Sequence, residues 1–162
     1  MKVIDPQRPI IMGILNITPD SFSDGGDYFD EDIAVKHAMK MIDDGAQIID
    51  IGGESTSPGS QRVSAREQLN RILPVLGRLQ ENLPQHAQIS IDTTLSEVAE
   101  VAVRAGAEII NDISAGEDDP EIFDLAASNE TAIILMHKQG SPKTMQKDPD
   151  YIDVVEEVKE YL

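Results

Sequence analysis

Five short apolar runs of β type, Ile10 to Leu15, Gln47 to Ile51, Gln88 to Ile91, Glu108 to Ile110 and Ala132 to Met136, alternate along this sequence with longer segments of helical period. Strands of a parallel sheet are buried on both faces and read as near-continuous apolar runs, so this alternation is the pattern of a parallel sheet covered by crossover helices. Between the runs, Val35, Met39 and Ile42 recur at helical spacing and stop at Gly45, a C-cap residue. Ser64, with Glu67 three residues on, forms a capping box. It opens a helix through Leu69, Leu73, Leu76 and Leu79 that Pro74 is expected to kink. A third helix carries Val98, Val101, Ala102 and Ala105 and closes at Gly106. Pro120, at a first helical position, opens a short fourth with Ile122, Phe123 and Leu125. Pro149, Tyr151, Val154, Val155 and Val158 begin a fifth, still running at Leu162.

An internal echo supports repeating units: Gly45-Ala46-Gln47-Ile48-Ile49-Asp50 recurs as Gly106-Ala107-Glu108-Ile109-Ile110-Asn111. Each copy reads as a helix stop followed by a buried strand. A doubly wound sheet and a (β/α) barrel both fit such units. The polar residues favour the barrel. Every strand run ends in a polar group: Asn16, then Asp50 and Glu54, then Asp92, then Asn111 and Asp112, then His137. Carboxyl ends of barrel strands converge on one mouth, which would gather these groups into one site.

The chain has 13 basic and 30 acidic residues and a formal charge of −17, which argues against nucleic acid or an anionic membrane as partner, since both require clustered Lys and Arg. With no Cys, thiolate catalysis and Cys-ligated metal are excluded, and the chain is compatible with the cytoplasm. Its 162 residues suit one domain, taken as 1–162, that is soluble and cytoplasmic.

Asn16 leads into a loop rich in Ser, Asp and Gly that runs to Gly26 and could close over a ligand. Its amide oxygen is a hard ligand that suits Mg²⁺, an ion otherwise held by waters and phosphate oxygens. Asn16 as a turn former beside Pro19 is the plainer alternative. Gly52 to Gly59 offers backbone N–H groups and hydroxyls to a phosphate. Asp92 and Asn111, on neighbouring strand ends, match a 2-amino-4-oxo pyrimidine edge, which presents N–H donors beside ring acceptors. Asp92 could equally be held by a helix N-terminus. His137 reads more readily as a packed residue than as an anion ligand, and His37 and His86 receive no role.

Met12 to Gly26, reading Met-Gly-Ile-Leu-Asn-Ile-Thr-Pro-Asp-Ser-Phe-Ser-Asp-Gly-Gly, resembles the opening signature of dihydropteroate synthases. Four further segments agree in order: Ile49 to Thr56, Ser90 to Thr93, Ile109 to Ile113, and Leu135-Met136-His137 through Thr144 to Gln146. The resemblance implies a (β/α)8 TIM barrel that joins 6-hydroxymethyl-7,8-dihydropterin diphosphate to 4-aminobenzoate in folate biosynthesis. It implies Mg²⁺ and diphosphate on Asn16, with Thr56 and Ser57 also at the diphosphate. Asp92 and Asn111 would hold the pterin in a slot lined by Ile14, Ile113 and Met136, and Phe22 and Pro58 would flank the aminobenzoate. Asp92 and Asp24 would be the catalytic pair, Asp24 by ordering the closed loop. The whole protein would be a homodimer.

Two positions depart from that pattern: Ser57 stands where the family usually has Arg, and Lys138 where it often has Met. Only about the first five of eight βα units are visible, and the later Asp, Lys, Arg and His of the family have no counterpart. A barrel cut there would leave open edges at Ile10 to Leu15 and Ala132 to Met136, with Ile11, Ile49, Ile91 and Ile110 facing inward without partners. Two other functions remain open, a non-catalytic pterin-binding module and a pterin-binding methyltransferase domain.

Overall fold

Two helix stops set the phase of the sheet. Helix α1 (Glu31–Asp43) ends at Gly45 with φ +111°, and helix α3 (Ser96–Arg104) ends at Gly106 with φ +109°. At each stop the following alanine donates five residues back, Ala46 to the Met41 carbonyl and Ala107 to the Ala102 carbonyl, both at 2.9 Å. That is the Schellman closure, and it explains the repeated Gly-Ala: glycine takes the positive φ and alanine turns the chain into the next strand. Gly45→Ala and Gly106→Ala should therefore both destabilise, by roughly 1–3 kcal/mol of backbone strain. A Cβ at position 45 meets nothing within 4 Å, whereas one at 106 falls 2.4 Å from Gln80 Nε2. Urea unfolding should show the larger loss at position 106.

The computed structural model describes residues 9–18, 31–54, 62–140, 144–145 and 148–162. Strands β1 (Met12–Asn16), β2 (Ile48–Gly52), β3 (Gln88–Asp92), β4 (Ile109–Asp112) and β5 (Ala132–Leu135) form one all-parallel sheet in the order β1-β2-β3-β4-β5. Helices α1, α2 (Ala65–Asn82), α3 and α4 (Glu121–Ser128) provide the crossovers, and α5 (Val154–Tyr161) follows β5. Ser64 caps α2, its hydroxyl accepting from Glu67 N at 3.3 Å. Pro74 lies inside α2, and the helix continues through it as one element with that residue on the exposed side. Pro120 occupies the N-cap of α4 rather than its first turn. Pro149 and Tyr151 precede α5 instead of belonging to it.

Strand ends lie further along the chain than hydropathy places them. Asn16, Gly52, Asp92, Asn111 and Asp112 are ladder residues, their backbones completing the parallel pairing; the Asn16, Asp92 and Asn111 side chains stand on the open face, where they need no apolar cover, while Asp112 is buried on the other face. Face assignment is corrected as well. Ile49, Ile91 and Ile110 are fully buried with Leu15, Ile51 and Ile89 in the core beneath the helices, together with Ala34 and Ala38 of α1, Ile72, Leu76 and Leu79 of α2, Val98 of α3 and Ile122 of α4. Of the four residues assigned to the inner face, only Ile11 is exposed, and it precedes β1. Strand period two decides this, since side chains flip face with every residue. The open face carries the other parity: Ile14, Asp50, Ser90, Ile109 and Ala132 in one row, and Asn16, Gly52, Asp92, Asn111 and Ile134 in the row toward the carboxyl ends. Among the described residues no helix is long and apolar enough to cross a membrane.

Candidate active site

Gly52 is the centre around which the upper row is arranged. A Cβ added to it would lie 3.3 Å from Asn16 Oδ1 and 3.4 Å from Asp92 Oδ2, so the amide oxygen of β1 and the carboxylate of β3 lean toward one another over the glycine of β2. Any other residue at 52 would fill that space. Among the described residues, neither the Asn16 amide nor the Asp92 carboxylate has a hydrogen-bond partner, whereas Asn111 Nδ2 donates to Asp50 Oδ2 at 2.9 Å. Asn111 therefore keeps its Oδ1 free on the open face. Burial and the neighbouring carboxylates Asp50, Glu54 and Asp112 push the Asp92 carboxyl up to about 7. Burial also raises Asp50, with the Ser90 hydroxyl and the Asn111 amide holding it back in part.

Glu54 fixes the rim. Its carboxylate accepts from Val63 N at 3.1 Å and from Gln68 Nε2 at 2.9 Å, while Arg71 Nη1 donates to the Gly53 carbonyl at 2.9 Å. Gln68 Oε1 in turn accepts from the Thr93 hydroxyl at 3.2 Å. These contacts close the base of the β2–α2 loop and tie it to the end of β3. On β4, Asp112 turns away from the ligand face: Oδ1 accepts from Ser114 N and Oγ, and Oδ2 from Gly116 N, each at 2.7 Å. It shapes the β4–α4 loop.

Of the residues singled out in sequence, Asn16, Asp92 and Asn111 come together in one row. Ile14 lies one row below, 63% exposed on the open face. Met136 continues β5 by one residue, its N–H reaching the Asp112 carbonyl at 3.1 Å, and Ile113 follows Asp112 on the turn. Phe22, Asp24, Thr56, Ser57 and Pro58 lie outside the described residues. His137 packs against Tyr161 at 4.8 Å and Tyr151 at 5.7 Å between ring centroids. Lys138 is only 8% exposed in its side chain and is spoken for: Nζ contacts Glu117 Oε2 at 2.6 Å, Tyr161 Oη at 3.1 Å and the Ser114 carbonyl at 3.4 Å. Burial lowers its pKa, but the contacts with Glu117 and Tyr161 outweigh that and hold it above the ordinary lysine value. It offers no spare charge for an anion in place of an arginine at Ser57.

Sequence reasoning noted Asp50 and Glu54 as polar strand ends and gave them no role. The signal was present at Asp50, a carboxylate inside the run Ile48-Ile49-Asp50-Ile51, because an ionisable group buried in a central strand requires a reason.

A family model described as pterin binding enzyme matches residues 12–162. The chain belongs to this pterin-binding family. Dihydropteroate synthases of Synechocystis sp., Bacillus subtilis and Escherichia coli are each 48% identical to it, over 96%, 94% and 98% of this chain and 53%, 53% and 55% of their own lengths. A solved Yersinia pestis dihydropteroate synthase with a sulfonamide drug complex superposes with TM-score 0.82 at 43% identity, covering 98% of this chain and 56% of that one. A Clostridium difficile dihydropteroate synthase solved in the presence of pteroic acid gives 0.83 at 41%, covering 96% and 56%. The chain thus spans about half the length of the curated relatives it matches. Its five parallel strands are of the α/β, TIM-barrel type.

Proposed function

We propose that this chain supplies half of a dihydropteroate synthase site, binding 6-hydroxymethyl-7,8-dihydropterin diphosphate for condensation with 4-aminobenzoate to 7,8-dihydropteroate and diphosphate. The observation that carries the reading is the pair of unengaged oxygens, Asn16 Oδ1 and Asp92 Oδ2, leaning together over Gly52 beside an Asn111 amide already held from below. Asp92 accepts from the N–H donors of the pterin's pyrimidine edge, and Asn111 Oδ1 accepts a further one. In the reaction the C–O bond to diphosphate breaks, the arylamine nitrogen bonds to the exocyclic methylene carbon, and that nitrogen gives up its proton. As the leaving group departs, positive charge grows on the pterin-methyl unit, and the Asp92 carboxylate, half-buried among other acids, stabilises it.

A diphosphate entering a mouth that carries Asp92 and Glu54, with Asp50 buried beneath, meets like charge. Mg²⁺ fits this donor set as an ion shared with the substrate: Asn16 supplies one neutral hard oxygen, and among the described residues no three His, Cys, Asp or Glu side chains group as a metal site. When bound, Mg²⁺ would neutralise the departing diphosphate. Thr56, Ser57, Phe22, Pro58 and Asp24 complete the proposal as diphosphate, aminobenzoate and loop-ordering residues. We place the whole protein in the cytoplasm as a homodimer with one pterin-binding domain that includes 1–162. A pterin-binding module without turnover is a second reading.

The test is a dihydropteroate-forming assay with and without Mg²⁺, alone and with a polypeptide carrying the later units. Asn16→Ala is expected to raise the Mg²⁺ concentration needed for half-maximal rate by roughly tenfold, as loss of one positioned oxygen ligand should. No product under any condition, with pterin binding intact, would leave the module reading standing.

A further inference from the structure

Asp50 lies in the middle of a strand whose other side chains are isoleucines, and it is 3% exposed. Such a carboxylate ordinarily collects several hydrogen bonds. This one has one side-chain partner in good geometry: Oδ2 accepts from Asn111 Nδ2, while Oδ1 is buried and without a partner. Ser90, fully buried on the neighbouring strand directly opposite Asp50, lies near enough to temper the raised carboxyl pKa but outside hydrogen-bond geometry, so its hydroxyl makes no formed bond. The polar layer beneath the mouth is therefore not a self-satisfied network, and its one complete contact points upward, into the row that holds Asn111.

That contact decides an otherwise open question. The two ends of a side-chain amide are nearly the same shape, so an asparagine at a ligand edge can present either a donor or an acceptor. With an acceptor-only carboxylate beneath it, a reversed Asn111 would set Oδ1 against Asp50 Oδ2, a contact between two acceptors. We propose that Asp50 is a positioning residue that locks the Asn111 amide with its oxygen toward the ligand and so makes the site select a ring edge that offers N–H donors. This rests on the reading of the mouth as a pterin site. A ring with a 2-oxo group in place of the 2-amino group would set oxygen against oxygen at Asn111 and be rejected.

The experiment compares wild type, Asp50→Asn and Asp50→Ala. Asp50→Asn keeps the volume but can accept or donate, which frees Asn111 to turn over. Calorimetry with 6-hydroxymethylpterin and with its 2-oxo counterpart, 6-hydroxymethyllumazine, should show the wild-type preference for the pterin narrowing by about tenfold or more in Asp50→Asn. Its thermal midpoint should stay near that of wild type. The Asn111 side-chain amide resonances should shift between wild type and Asp50→Asn without any ligand. An unchanged preference, or equal weakening toward both pteridines, overturns the proposal. Should Asp50→Ala fail to fold, Asp50→Asn carries the test alone. If the wild-type protein binds neither pteridine, the pterin reading has failed, and the ligand-free resonances decide the coupling: shifted signals uphold it, and identical ones overturn it.

Discussion

Asp92→Asn is expected to weaken pterin binding by about a hundredfold, the loss of two charge-assisted hydrogen bonds of about 1.5 kcal/mol each. The substitution keeps shape and burial, so the change reads chemistry and not packing. In place of an acceptor-only carboxylate it sets an amide whose N–H₂ abuts ligand donors. The pH dependence gives an independent readout. The Asp92 carboxyl, pushed up to about 7, lies above its unfolded value of about 3.9, so the folded protein holds its proton more tightly. Its contribution to stability is fully present below the unfolded value and is lost as pH rises through about 7. Asp50, also raised, acts in the same direction. The thermal midpoint of the ligand-free protein should therefore fall across that window, and Asp92→Asn should flatten the fall. Pterin binding should run the other way and strengthen through about 7, because ligand N–H donors favour the ionised carboxylate. Wild-type affinity in Asp92→Asn, with the same pH slope, would remove Asp92 from the site.

Local signals in the sequence translated well into backbone. Gly45 and Gly106 announced helix stops because only glycine takes their φ without strain, and Ser64 with Glu67 announced a cap. Polar residues closing each apolar run announced the mouth, and Asn16, Asp92 and Asn111 meet there. What escaped were properties that depend on neighbours across the sheet. The inner face was misassigned at Ile49, Ile91 and Ile110 because strands that are apolar on both faces carry no alternation to read, and register alone tells the parity. Asp50 was seen and left idle, since its partner Asn111 is 61 residues away. Lys138 stood out in the sequence only as a departure from the family's usual Met, and its capture by Glu117 and Tyr161 into the packing against α5 is something no local pattern encodes.

On its own, the 162-residue chain is expected to self-associate, to bind apolar dyes and to make no detectable dihydropteroate. Among the described residues, strand β1 is hydrogen-bonded to β2 alone and β5 to β4 alone, so each presents one free row of backbone N–H and C=O groups along the sheet. Open parallel edges of this kind recruit other strands, and a closed barrel removes them by pairing its last strand with its first. Apolar surface adds to the drive. Ile14 stands on the open face, Ile11 lies just before β1, and Val154 and Val155 of α5 and its C-cap Leu162 are exposed, with no buried residue anywhere in that helix. Each such side chain returns roughly 1.5–3 kcal/mol when fully buried, against a net domain stability of only about 5–15 kcal/mol, so covering a few of them decides the assembly state. The proposed chemistry would suffer from the same openness, because charge developing beside Asp92 and Asn16 must be shielded from water, and among the described residues no element faces the open side of the sheet. Supplying a polypeptide with the later βα units should lower the sedimentation coefficient toward a single closed species, suppress dye binding and bring turnover with it. A compact monomer that unfolds cooperatively and turns over unaided would show that five strands suffice.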